Sequence, residues 1–478
     1  MAILAACAVP HPPLIVPQVG RGRERDISRT VSACREVAAR IVELAPQTIV
    51  ISSPHAPCYR DYVHIAPGTG ARGSFAEFGA PEARYSVRYD EPFAQALAAA
   101  ARKDGIDAGG AGERDPSLDH ATMVPLHFIE EAYRHAGRNE DVRVVRMGLS
   151  GLSPQGHYRL GRLVQRVAAA LGRGVVMVAS GDLSHKLAPD GPYGFAPEGP
   201  VFDRRVCDAF ASGDLLPLLA MDRRLALRAA ECGLRSFQIM AGTLDRTPRR
   251  SRLLSYEGPF GVGYGVALLE PTGPEGSDER CALLPRYESL RAERLREARG
   301  TEDPYVRLAR RAVEAYVREG RRLTCEDGAN GGGAPLPQIS GERAGCFVSL
   351  SLDGELRGCM GTIAPTQPTL ADEICSNAVS ACARDPRFEP VRVEELDELV
   401  YDVDVLQRPE AVSDMDQLDA RRYGVIVSCE DGRRGLLLPD LDGVDGVGEQ
   451  VRIAARKGGI DLERDDWRLQ RFEVVRHR

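Results

Sequence analysis

The chain has 478 residues, 43% hydrophobic and 27% charged, with a net charge of −7. That length exceeds what one hydrophobic core usually serves, so two domains are expected. The acidic balance gives no reason to expect nucleic acid or an anionic membrane as the main partner, and no apolar run approaches the roughly 18 residues of a membrane span. The opening residues Met1 to Ala6 lack the basic leader of a signal peptide, so the expectation is a cytoplasmic protein. Twelve cysteines are scattered without a C-x-x-C pair, which predicts reduced, mostly core cysteines and no structural zinc.

In chain order, Ile3–Val9 and Thr48–Ser53 read as short buried strands, each running into a proline and a histidine: Pro10-His11 and Pro54-His55. A helix is expected between them from about Ser28 to Ala45, with Val31, Cys34, Ala38 and Ile41 on one face. The two strands are then parallel members of a βαβ unit, and both histidines stand where open α/β sheets bind ligands. Ser153 as N-cap and Pro154 at the first helical position start a helix striped by Leu160, Leu163, Val164, Val167 and Leu171. The strand Val175–Ala179 follows and runs into Ser180-Gly181-Asp182-Leu183-Ser184-His185. Arg246 to Arg252 reads as a solvated loop. Gly258, Gly261, Gly263 and Gly265 read as close backbone packing in a strand-like stretch, because they open no helix that could hold a dinucleotide.

Residues 1–270 therefore read as an α/β domain, with a central mostly parallel or mixed sheet flanked by helices. Residues 271–299 read as a linker, starting in Pro271-Thr272-Gly273-Pro274, and 300–478 as an α+β domain. There Asp303 and Pro304 start a helix that Gly320 closes, and the run Gly328 to Gly333 is a plain loop without the Gly-Lys-Ser/Thr of a phosphate cradle. Hairpins are expected across Asp353-Gly354 and Asp431-Gly432, with helices at about 369–384 and 447–457.

Four histidines have a distinctive setting: His11, His55, His120 and His185. Two neutral imidazoles and one carboxylate around a metal with open positions are the usual arrangement for non-haem Fe(II) chemistry with oxygen. Further imidazoles there could move protons. Glu231 is the first choice for the carboxylate, as an isolated acid among small and apolar residues. Glu257 is second. Asp182 is third, being equally able to orient His185. His64 reads as a sheet residue, His127 as packed, and His135 and His157 as solvated. Cys359 beside Arg357 invites a nucleophile reading, but that half of the chain offers only His477 as a base, so a structural cysteine in a Gly-Cys-x-Gly turn is favoured. Pro192-Tyr193-Gly194-Phe195 is placed to cover the site.

Val9-Pro10-His11-Pro12-Pro13, Ser53-Pro54-His55, Leu118-Asp119-His120 and Ser180-Gly181-Asp182-Leu183-Ser184-His185 resemble the class III (LigB-type) extradiol ring-cleavage dioxygenases over roughly residues 1–270. That resemblance implies ferrous iron, Fe(2+), held by His11, His55 and Glu231, with His185 and His120 as acid/base groups. It also implies a catechol-like aromatic substrate opened with O2. Glu231-Cys232-Gly233 is similar as well to the Memo branch of that superfamily, where a cysteine takes the third ligand position. This implies instead a metal, redox or binding module. Leu356-Arg357-Gly358-Cys359-Met360-Gly361-Thr362, followed by Arg384-Asp385-Pro386-Arg387-Phe388-Glu389-Pro390-Val391, resembles the AMMECR1 family over about residues 300–478. A fusion of these two domains resembles the AmmeMemoRadiSam arrangement, which implies a radical-SAM partner protein. A zinc hydrolase built on the same histidines is a further alternative, and a homo-oligomer is left open.

Overall fold

The computed structural model describes residues 2–138, 142–324, 343–352, 354–441, 443–444 and 446–478. They fall into two units, Met1–Ser289 and Leu290–Arg478.

The first unit is built on eight strands that position its candidate site. They are β1 (Ile3–Val9), β2 (Thr48–Ser53), the hairpin β3 (Gly70–Phe75) and β4 (Ala80–Arg88), β5 (Arg143–Gly148), β6 (Val175–Ser180), β7 (Arg249–Glu257) and β8 (Tyr264–Pro271). The main sheet has the order β5-β2-β6-β1-β8-β7. Its first four strands are mutually parallel, while β8 runs antiparallel to β1 and β7 antiparallel to β8. β1 and β2 are parallel as expected, with β6 between them. The parallel strands are almost wholly buried and so read as continuous apolar runs.

Alternation along those strands feeds two cores, one on each side of the sheet. Ala6, Ala8, Met177 and Ala179 join one, and Ala5, Cys7, Val176 and Val178 the other. Helices α1 (Ser28–Leu44) and α3 (His120–His135) pack against the second core through Val31, Cys34, Val124 and Phe128. Helices α2 (Glu91–Lys103), α4 (Pro154–Ala170), α5 (Glu198–Ser212) and α7 (Leu234–Thr243) cover the first, through Leu97, Leu160, Phe202 and Phe237. The short α6 (Arg223–Ala229) precedes α7. α4 begins as its sequence predicts, with Ser153 accepting the Gly156 N–H and Pro154 inside the first turn.

Several residues depart from expectation. His157 is 1% exposed rather than solvated. It shares the buried face of α4 with Leu160, Gly161 and Val164, at helical spacings that override its polar neighbours. Leu171, the last of the expected stripe, is the C-cap and 41% exposed. Arg249 to Arg252 belong to β7 rather than a loop, and Arg250 and Arg252 pair with Glu270 and Glu36. Of the spaced glycines only Gly265 lies in a strand, although Gly263 does meet the Asp203 side chain closely. The charged stretch read as linker is helical, as α8 (Leu283–Thr301), and Leu283 is buried in the first unit's core.

In the second unit, Asp303 caps α9 (Pro304–Glu319), and Gly320 ends it in the left-handed region. Two four-stranded antiparallel sheets follow. The first joins Cys346–Leu352, Glu355–Gly361, Leu399–Leu406 and Val474–His477, covered by α9 and α10 (Leu370–Ala383). The second joins Glu410–Val412, Trp467–Phe472, Gly424–Cys429 and Arg434–Leu437, covered by α11 (Val447–Lys457). The Gly328–Gly333 run and Asp353 lie outside the described residues. Cys359 sits within a strand opposite Ser349, not in a turn, and Arg357 is engaged by Glu395 instead of the thiol. The described cysteines are all free. No described helix is long and apolar enough to cross a membrane.

Candidate metal centre

The carboxyl ends of β1, β2 and β6 lie at one edge of the sheet, since Val9 pairs with Ser180 and Ser52 with Ala179. Each strand is followed within five residues by a histidine, which brings His11, His55 and His185 to that edge. His120 arrives from a different direction, as the first residue of α3. The ring centroids of His11 and His55 are 5.0 Å apart, those of His11 and His120 5.5 Å, and those of His55 and His120 4.2 Å. One ring nitrogen from each of these three falls within 4.8 Å of the others.

Two serine hydroxyls that sequence reading missed stake this arrangement to α3. Ser180 Oγ donates to the Ala121 carbonyl at 2.7 Å and so accepts from His11 Nδ1 at 3.1 Å. The single hydroxyl proton is used, hence Nδ1 of His11 carries the hydrogen and Nε2 presents its lone pair to the site. Ser53 Oγ donates to Asp119 Oδ1 at 2.6 Å and accepts the His55 backbone N–H at 3.2 Å. Asp119 is also the N-cap of α3, accepting from Thr122 N. His185 has the same tautomer as His11 for a parallel reason: its Nδ1 faces the Ala230 carbonyl, which can only accept. Ala230 holds that carbonyl in place from the left-handed region at φ 52°, a strained conformation of the kind that recurs at functional sites. The signal for both serines was present in the sequence, as hydroxyls at the strand ends that precede His11's partner loop and His55.

The third donor is where expectation and structure part. Glu231 does not join the histidines; its carboxylate turns to the N-terminus of α7 and accepts the Leu234 N–H at 2.6 Å. An acid is favoured there by the free N–H groups and the helix dipole. The next residue, Cys232, faces the site instead, with Sγ 3.6 Å from His11 Nε2. Cys232 also accepts the Asp182 N–H at 3.3 Å, and His11, Asp182 and Cys232 form a second donor group within 4.8 Å. Asp182 orients His11 rather than His185: its Oδ1 accepts the His11 N–H at 2.8 Å, and Oδ2 lies 3.9 Å from His11 Nε2. Gly181 makes this approach feasible, because a Cβ there would stand 2.2 Å from the Gly233 Cα. Glu257 is remote from the group, accepting from the backbone N–H and hydroxyl of Thr30 at 2.7 Å each.

Burial sets the electrostatics. It pushes the His11 pKa well below its usual value, with neighbouring His55, His120 and His185 adding to the effect. His120 is pushed down to about 4, by burial and then by His55. His55 and His185 are also lowered by burial. All four imidazoles are thus neutral near pH 7, the form that donates to a metal or accepts a proton. Burial raises Asp182 and Glu231 to about 7 each and keeps the Cys232 thiol protonated. His11 is 2% exposed, whereas His55 is open to a cleft of about 1430 Å³ that also reaches His120 and Phe78. Of the Pro192–Phe195 stretch, Tyr193 meets His185 edge-on at 5.2 Å while remaining 60% exposed.

Comparison with known proteins adds to this geometry. Residues 5–267 match the family model described as the catalytic LigB subunit of aromatic ring-opening dioxygenase, and residues 306–477 match AMMECR1. Protein CA_C1420 of Clostridium acetobutylicum is 35% identical, over 98% of both chains. A protein of Thermotoga maritima is 48% identical over 37% of this chain and 98% of its own. Among solved structures, uncharacterized protein PH0010 from Pyrococcus horikoshii shares 29% identity, covering 36% of this chain and 88% of that one, with a TM-score of 0.32.

Proposed function

The chain belongs to the LigB family and carries an AMMECR1 domain, and we propose that its first unit is a metal-dependent redox centre of the Memo type, with His11 as the donor shared by two adjoining groups, His55 and His120 in one and Asp182 and Cys232 in the other. A LigB domain with converging imidazole, thiol and carboxylate groups is consistent with a metal-dependent enzyme of this superfamily. The observation that carries the finer reading is the Cys232 thiol 3.6 Å from His11 Nε2, with Glu231 held at a helix terminus.

The donor set fits a first-row transition metal. The His11 tautomer leaves Nε2 free, the imidazoles are neutral, and a thiol is at hand, which suits Fe(2+) and favours softer ions such as copper(I) or zinc. A bound metal would supply Lewis-acid or one-electron chemistry. The remaining steps belong to the chain. Ser180 and Asp182 hold His11, Ser53 and Asp119 fix the loop of His55 and the start of α3, and Tyr193 packs edge-on against His185. His185, with Nδ1 committed to Ala230, takes or returns a substrate proton at Nε2, and His120 lines the cleft on the opposite side. Both domains occur together across 98% of the clostridial relative. That pairing supports a shared role in one modification pathway, with a radical-SAM protein as the proposed partner.

The second reading is a ring-opening dioxygenase with Fe(2+), O2 and a catechol-like substrate. The family model's description and the open His55 side favour it. It requires a carboxylate in the third position: Asp182, with Oδ2 3.9 Å from His11 Nε2, already lies beside the imidazole, whereas Glu231 would have to leave α7.

The two readings separate by metal content and spectroscopy on anaerobically purified protein loaded with Fe(II) or Co(II). His11→Ala and Cys232→Ser are expected to lose stoichiometric metal, Cys232→Ser also losing the thiolate-to-cobalt band in the near ultraviolet, while Glu231→Gln retains both. Metal lost in Glu231→Gln and kept in Cys232→Ser would reverse the order of the readings.

A further inference from the structure

The cleft that opens on His55 and His120 is lined by three arginines, Arg72, Arg84 and Arg114, none of which has a carboxylate partner among the described residues. Some exposed arginines of the first unit are paired, as Arg29 with Glu257, Arg35 with Glu131 and Arg252 with Glu36, and others such as Arg25 and Arg204 show no ion pair among the described residues; what sets the cleft apart is that three such cations line one concavity. The cleft's fourth arginine, Arg146, is buried and held by Glu113 and the Ser117 carbonyl, with Asp119 at 3.9 Å. Of the cleft's own acids, Asp119 is occupied by Ser53 and Thr122, and Asp115 accepts its own turn's Ser117 N–H. Glu77, at the hairpin turn, is the one acid lining the cleft with no hydrogen bond or ion pair among the described residues.

Strand register gathers these cations. Arg72 on β3 pairs with Ser86 on β4, and Ser74 pairs with Arg84, so two arginines and two serines share one face of the hairpin as diagonal neighbours. Arg84 uses only Nε locally, on the Pro81 carbonyl, which leaves its two terminal amino groups open. Arg114 joins from the loop before α3. Such a face offers guanidinium forks and hydroxyls, a composition that matches the planar oxygens of a carboxylate or phosphate.

We propose that this cleft takes a substrate bearing a negatively charged group, a carboxylate or a phosphate, that Arg72, Arg84 and Arg114 bind while the rest of the molecule extends toward His55 and His120. Its role as a substrate subsite rests on the metal-centre reading. The arginines set specificity and steer anions into the cleft; they do not touch the donor atoms.

The test is calorimetric titration of the full-length, metal-loaded protein with benzoate and, separately, inorganic phosphate. Wild type is compared with Arg72→Ala/Arg114→Ala and with Arg204→Ala, an exposed arginine on α5 outside the cleft. At least one anion is expected to bind wild type and Arg204→Ala alike, and to bind the double variant at least tenfold more weakly, with unchanged metal content. The anion that binds identifies the group. Equal binding by all three proteins, or binding of neither anion by wild type, overturns the proposal. His11→Ala provides the separation: anion binding with no metal in either wild type or this variant supports the subsite and removes the metal-centre reading.

Discussion

Asp182 in the first unit and Glu373 in the second are both buried carboxylates, and their surroundings differ in kind. Glu373 accepts from the Thr362 hydroxyl at 2.6 Å, the Thr366 N–H at 2.6 Å and hydroxyl at 2.9 Å, and the Gln367 N–H at 2.7 Å. Four donors fill its lone pairs and pin the segment after Gly361 to α10, as scaffolding. Asp182 accepts one hydrogen bond, from the His11 N–H, and its other oxygen looks toward His11 Nε2 and Cys232. Burial of a polar group alone therefore does not mark a functional site. What marks it is acceptor capacity left unfilled beside other unfilled donors.

Three substitutions sharpen or break that contrast. The largest effect on stability is expected from Glu373→Ala, which removes the buried acceptor of four partly buried hydrogen bonds at once and should cost about 2–3 kcal/mol. The single tryptophan, Trp467, lies in the second unit and reports its unfolding; an unmoved Trp467 transition would sink the scaffold reading. Metal content should not change.

Ser180→Ala should act the opposite way. Removing the acceptor that fixes the His11 tautomer is expected to weaken metal affinity by roughly 10–100-fold, with little change in the Trp467 transition. Unaltered affinity in a titration against a chelator would show that Ser180 does not orient His11.

The effect that is smallest at neutral pH concerns His157, buried in α4 with a pKa pushed down to about 3, chiefly by burial. Its folded pKa lies below the unfolded value of about 6.5. The unfolded state therefore binds this proton first, so stability is full above pH 6.5 and falls as pH drops toward 3. His157→Gln should flatten that decline by at most about 1.4 kcal/mol per pH unit. Parallel slopes for both proteins would mean that His157 is protonated in the folded state too.

Much of the framework was legible because local chemistry decided it. Ser153-Pro154 and Asp303-Pro304 start helices where their caps predict, and the strands around His11, His55 and Ser180 are apolar on both faces, as covered parallel strands must be. The four histidines were visible for the same reason, three following strand ends and His120 opening α3. The choice between Glu231 and Cys232 stayed open in the sequence. Glu231 and Cys232 are neighbours, and which of them faces the imidazoles depends on the start of α7 and on the Gly181–Gly233 contact between segments 50 residues apart. His157 was misread by its polar neighbours, although its spacing to Leu160 and Val164 carried the correct answer.

The Gly181–Gly233 contact also fixes when the centre can come into existence. His11 meets Asp182 across 171 positions, and Cys232 meets His11 across 221. Contacts of such span close late, after the loops between them have been ordered. A nascent chain that ends before Cys232 carries all four imidazoles but not the thiol, so a metal held through Cys232 would be taken up only after that segment has joined the fold.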